Sequence, residues 1–124
     1  FPDLETAELA VLHLESRRVL GLQIKTVGVD SEHPDPKVSV LASSFRPAPD
    51  TYLVALAWQR EERRFHDECL LVPSEQIPVI AEPKASAHLE FDWHPGSRAG
   101  SQLNEYRLAL NQLRSNIALK VEPS

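Results

Sequence analysis

The stretch Val19-Leu-Gly-Leu-Gln-Ile-Lys25, preceded by Glu8-Leu-Ala-Val-Leu-His-Leu14 and the polar run Glu15-Ser-Arg-Arg18, decides how this chain is read. In a strand, side chains alternate between faces, so Leu20, Leu22 and Ile24 share one face and Gly21, Gln23 and Lys25 share the other. An apolar row then faces a core, with a polar pair standing behind it. Glu8 to Leu14 alternates imperfectly, and together the two segments predict a β-hairpin. A helix competes for residues 2 to 18. Pro2 suits a first helical position, Asp3 and Glu5 suit its first turn, Leu4, Ala7, Val11 and Leu14 recur at helical spacing, and Arg17, Arg18 and Gly21 fit its end. Short apolar runs do not separate the two readings, and the strand through Gln23 is the firmer element.

If the hairpin turns about Ser16 and Arg17, Ala10 faces Gln23 and Glu8 faces Lys25, which makes Glu8 and Lys25 a cross-strand charge pair. An acid, an amide oxygen and an ammonium over one patch of sheet form a candidate phosphate-ester site. Hard oxygen ligands suit Mg²⁺, the metal polarises a phosphoryl oxygen and activates water, and a lysine stabilises developing negative charge.

Outward from this hairpin, Asp30-Ser-Glu-His-Pro-Asp-Pro36 and Phe45-Arg-Pro-Ala-Pro-Asp50 read as loops flanking a short strand, Lys37-Val-Ser-Val-Leu-Ala42. Tyr52 to Trp58 is nearly all apolar, as expected of a strand buried on both faces at the centre of a sheet. The turn Gln59 to Arg64 leads into a second hairpin arm, Phe65 to Val72. A short helical turn or loop is expected from Pro73 to Pro78, and a half-buried strand from His88 to Trp93. After a loop from His94 to Ser101, Leu103, Tyr106, Leu110, Leu113 and Ile117 recur at steps of three and four, which predicts a terminal amphipathic helix from Gln102. The expected fold is α+β: a mixed sheet of about five or six strands with the C-terminal helix packed across it.

Composition frames these expectations. The 124 residues, 42% apolar and 25% charged, suit one globular domain, residues 1 to 124. No apolar run approaches the roughly 18 to 20 residues that cross a bilayer, so no membrane partner is expected. A single cysteine, Cys69, excludes a disulfide framework and leaves a reducing, cytoplasmic setting as the plain inference. Methionine is absent, so the chain reads as a domain cut from something longer, truncated at its N-terminus, or as a trimmed product. The net charge of -5 argues against tight non-specific binding of nucleic acid, which needs clustered Lys and Arg. Any contact with nucleic acid is expected to rely on a partner, a second domain or a metal.

Gly-Leu-Gln23-Ile-Lys25-Thr26, preceded by a hairpin arm with an acid at its start, resembles the PD-(D/E)xK nuclease superfamily, in the variant that carries Gln-x-Lys. The order that follows, a polar loop, the strand Tyr52 to Trp58 and a strand closing in Leu71-Val-Pro-Ser74, is similar to bacterial nuclease-like domains of this group, over roughly residues 2 to 80. The resemblance favours the hairpin over the helix and implies a restriction-endonuclease-like fold with Mg²⁺-dependent phosphodiester hydrolysis of DNA or another nucleic acid. It implies Gln23 as a metal ligand and Lys25 as the residue contacting phosphate or attacking water. The first acid has two claimants. Pro2-Asp3 matches the letters of the motif, but an extended chain at roughly 3.3 Å per residue sets Asp3 about 16 Å beyond Glu8, and Glu8 fits the geometry better. A glutamate there departs from the usual aspartate, and a neutral amide replaces the second acid. A degenerate domain that binds a protein partner, or a second copy of itself, is therefore the alternative function.

Other chemistry-bearing types read as structural. His66-Asp-Glu-Cys69 has metal-ligand chemistry, but consecutive strand residues point to opposite faces. Cys69 reads as a small buried hydrophobe, His88 and His94 as edge packing, and Arg60, Arg63 and Arg64 with Glu61 and Glu62 as a solvated turn. Trp58, Phe65, Phe91 and Trp93 read as core or sheet-face residues.

Overall fold

In a computed structural model the described residues are 6–12, 19–32, 36–41, 48–84, 88–96 and 102–121, with the backbone alone described at 6–12, 41 and 121. They form eight strands: β1 (Thr6–Leu12), β2 (Val19–Val29), β3 (Lys37–Leu41), β4 (Thr51–Gln59), β5 (Arg64–Pro73), β6 (Glu82–Pro83), β7 (His88–Asp92) and β8 (Arg107–Ala109). A short helix, α1 (Ile77–Ile80), follows a 3-10 turn at Ser74–Gln76, and α2 (Leu113–Val121) closes the fold.

The class is α+β, as expected, but the strands divide into two sheets. A mixed five-stranded sheet runs β1-β2-β4-β5-β8, with β2 and β4 parallel and the other neighbours antiparallel. The small antiparallel sheet runs β3-β7-β6. The strands expected at Lys37 to Ala42 and His88 to Trp93 are found at Lys37–Leu41 and His88–Asp92, with Ala42 outside the described residues, but they belong to the small sheet and not to the large one. Their apolar positions explain the division: Val38, Val40 and Phe91, with Trp93 just past β7, are buried against Val27, Leu53, Ala55, Leu70 and Val72 of the large sheet. Two apolar faces bury each other, and the main core lies between them.

The opposite face of the large sheet carries a second cluster, Leu20, Leu22, Val54 and Leu71, on which Ile24, Leu108, Leu113 and Ile117 pack. β4 thus buries both faces, Leu53, Ala55 and Ala57 toward one cluster and Val54 toward the other, which is why its sequence is almost continuously apolar. Two polar anchors fix the entry to β4. The buried Ser74 hydroxyl accepts from the Ala48 N–H and donates to the Ala48 carbonyl, both at 2.9 Å. The Gly21 N–H donates to the Asp50 carbonyl at 2.8 Å, tying the same segment to β2.

The predicted terminal helix is corrected. Only residues from Leu113 are α-helical; Asn104–Tyr106 is a 3-10 turn, Arg107–Ala109 is β8, and Leu110–Gln112 is another 3-10 turn. The stripe of apolar residues is real but serves two cores: Leu103 is buried in the main core with Tyr106 packed against it, whereas Leu113 and Ile117 reach the second. The reason is Arg107. Pairing of β8 with β5 buries its guanidinium beside Glu68, and a buried cation without its counterion costs several kcal/mol. That outweighs the helical periodicity.

Candidate functional site

The hairpin reading holds where the backbone is described, since β1 and β2 are antiparallel and residues 6 to 12 are strand. β2 extends four residues beyond Lys25 because Thr26, Val27 and Val29 are β-branched and suit a pleated, buried surface. The expected register is corrected by two residues: Glu8 pairs with Gln23, Thr6 with Lys25 and Ala10 with Gly21. Glu8 is therefore the cross-strand partner of the amide and only a diagonal neighbour of the lysine. A shift of two keeps the faces as they were. Asp3 lies outside the described residues.

β2 is divided along its length. Leu20 and Leu22 are buried in the second cluster with Ile24 against them, as predicted for the apolar row. On the other face Val27 and Val29 belong to the main core, while Gln23 and Lys25, on the same alternation, are half-buried. Their parallel neighbours on β4, Leu53 and Ala55, are fully buried. The polar pair thus stands at the rim of the main core. Lys25 Nζ makes no ion pair or hydrogen bond among the described residues.

The donor chemistry suits a hard divalent cation sparingly. Glu8 is the backbone partner of Gln23 across β1 and β2, and Mg²⁺ commonly binds through one or two carboxylates while keeping waters and substrate phosphates as its other ligands. Among the described residues no three His, Cys, Asp or Glu side chains gather as a metal-binding group. A cleft of about 370 Å³ on the small sheet is lined by Lys37, Glu82, Lys84, Glu90 and Asp92, among others, and by neither Gln23 nor Lys25. Its lysines are compensated, Lys37 by Asp92 and Lys84 by Glu82, both at 3.4 Å.

The sequence reading missed a buried polar hub. Glu68 Oε2 accepts from Arg107 Nη1, from Trp93 Nε1 at 3.2 Å and from the Gly96 N–H at 3.1 Å. Arg107 also donates to the His94 carbonyl at 3.0 Å and to Asn104 Oδ1 at 2.9 Å. A signal was present: Glu68 shares its alternation with Leu70 and Val72, so period two alone places a carboxylate on the core face. Arg107 carried no such signal, because its partner is 39 residues away. The hub also resolves His66-Asp-Glu-Cys69: Glu68 is committed to Arg107, and His66 Nδ1 accepts from the Glu68 N–H at 2.9 Å.

Cys69 is fully buried, and burial, aided by the charge of Glu68, pushes its thiol up from about 9 to about 11. It is therefore a protonated, unreactive thiol at neutral pH. Between these two values the unfolded chain has released this proton and the folded chain has kept it, so stability falls as pH rises. We expect the urea midpoint to decline from about pH 9 to about pH 11 more steeply in the parent than in Cys69→Ala. Parallel declines would show that Cys69 is not the group responsible.

Among the described residues no helix is long and apolar enough to cross a membrane. The chain matches no family model, no curated protein and no solved structure.

Proposed function

We propose that the chain is a nuclease-like domain of the PD-(D/E)xK type, with a restriction-endonuclease-like sheet, that hydrolyses phosphodiester bonds of nucleic acid at Glu8, Gln23 and Lys25. One observation carries the reading. The β1–β2 register sets an acid opposite Gln23 on the same strand pair that holds Lys25, at the rim of the core, with no counterion on that lysine among the described residues. An ammonium already matched to a carboxylate has little attraction left for a phosphate; Lys25 retains it.

In this mechanism Lys25 binds a non-bridging phosphoryl oxygen and stabilises the negative charge that grows there as water attacks phosphorus and the bond to the leaving oxygen breaks. Gln23 and Glu8 orient oxygen ligands beside it, with Asp3 the other claimant for the acid. Glu8 and Gln23 would hold Mg²⁺, which would supply Lewis-acid stabilisation and a more acidic water.

We expect Lys25→Ala to slow cleavage of labelled single-stranded or duplex substrates, in Mg²⁺ or Mn²⁺, by about 10²- to 10³-fold, the usual effect of removing one transition-state donor. Equal rates in parent and variant, or no cleavage by the parent on any substrate, reject hydrolysis at this site.

The neutral amide of Gln23, where a second carboxylate would hold the cation, favours a second reading: a non-catalytic domain that binds a protein partner or a second copy. Calorimetry separates the two. No heat of Mg²⁺ or Mn²⁺ binding at millimolar concentration, together with self-association in sedimentation, supports the second.

A further inference from the structure

β2 carries two interior glycines, Gly21 and Gly28, although glycine weakens a strand and usually marks a close approach. Gly28 is explained within the molecule. A Cβ there would overlap Arg60 Nη2 and Cζ, so the guanidinium, tied to Asp30 at 3.1 Å, occupies the space a side chain would fill.

Gly21 has no such explanation among the described residues. An added Cβ would meet Thr51 Oγ1 at 3.4 Å and Thr51 Cγ2 at 3.6 Å, which is ordinary van der Waals contact. Nor does its backbone require glycine, because the left-handed glycine of the described residues is Gly96. The residue is half-buried, so part of it is open to solvent. The bare, half-buried backbone leaves room for an approach from outside, and its position gives the direction. Gly21 precedes Gln23 on the same face by one strand repeat, about 6.7 Å. Thr51, its parallel partner on β4, holds a hydroxyl over the bare backbone and is itself positioned by the anchored segment at Ala48 and Asp50.

We infer that Gly21 and Thr51 form the approach to the site, where the sugar-phosphate backbone of a nucleic-acid strand passes over Gly21 within reach of the Thr51 hydroxyl before meeting Gln23 and Lys25. This rests on the phosphodiesterase reading and deepens it by naming how the strand lies. The row presents bare backbone, amide and ammonium in sequence. Its charged contact is Lys25, and the contact at Gly21 and Thr51 is neutral.

That difference makes the test specific. Binding of a fluorescein-labelled oligonucleotide, single-stranded in one series and duplex in another, is measured by anisotropy with Mg²⁺ over a range of NaCl, using the full chain. Gly21→Ala is expected to weaken binding about tenfold, the effect of one lost contact, and Gly21→Val more, with thermal midpoints at or above the parent's. Both keep the parent's salt slope, whereas Lys25→Ala lowers that slope by about one. If Gly21→Val does not fold, Gly21→Ala decides. The inference is overturned if the Gly21 variants bind like the parent while Lys25→Ala binds weakly, or if their affinity falls only alongside a fall in midpoint. Parent and Lys25→Ala binding equally, or neither binding, overturns the phosphodiesterase reading and this inference with it.

Discussion

Replacing Glu68 by alanine is expected to remove about 3 to 5 kcal/mol of unfolding free energy, because it leaves a buried cation without its counterion. The Arg107 side chain is 1% exposed, and one carboxylate oxygen of Glu68 serves Arg107, Trp93 and the Gly96 N–H together. Water cannot readily replace the lost charge at that depth. The geometry also distinguishes the cost of breaking the pair from the worth of having it. A double variant, Glu68→Leu with Arg107→Met, removes both charges and fills similar volume, so it is expected to recover the part of the loss due to the unpaired cation, while Trp93 Nε1 and the Gly96 N–H still lack their acceptor. Urea unfolding of parent, single and double variants decides this. A single-variant loss below about 1 kcal/mol, as for an exposed pair, would show that the pair is solvated.

Trp93→Ala is expected to cost a comparable amount, about 3 to 5 kcal/mol, for a different reason. Trp93 is 0% exposed and among the largest side chains fully buried in the main core, where it joins the end of β7 to the large sheet. Its removal leaves a cavity between two layers that cannot collapse without moving a whole sheet. Trp93→Phe keeps most of the volume and loses the indole N–H bond to Glu68, so its expected cost is smaller, about 1 to 2 kcal/mol. Chemical denaturation of both variants measures the difference. If Trp93→Ala unfolds with the parent's midpoint, the small sheet is not held by this residue.

Local pattern was legible and long-range pairing was not. Tyr52 to Trp58 announced a central strand by composition, and β4 is that strand, with neighbours on either side. The hairpin over residues 8 to 25 was visible as alternation, but its register depends on turn geometry that the letters Glu15-Ser-Arg-Arg18 do not fix, and the predicted pairing was two residues out. The division into two sheets was hidden because Lys37 to Leu41 and His88 to Asp92 alternate as any half-buried strand does, and alternation does not say which strand lies alongside. At the C-terminus the stripe from Leu103 to Ile117 fitted one helix so well that Arg107 was overlooked. For the candidate site, sequence identified Gly21, Gln23 and Lys25 as sharing one face, while the fold supplied their place at the rim of the core and set Thr51 beside Gly21.

The division of β2 also bears on motion. Gln23 and Lys25 ride on the same eleven-residue strand whose far end is clamped in the main core by Val27 and Val29 and whose reverse face is held by Leu20 and Leu22. Such a strand opens only when much of the domain opens with it. Side chains mounted on it are held more precisely than on a loop. The polar row therefore behaves as a fixed template, spaced by the pleat itself. On the proposed phosphodiesterase reading, fitting to this row would fall to the ligand, and selectivity for shape would follow from the stiffness of the strand beneath.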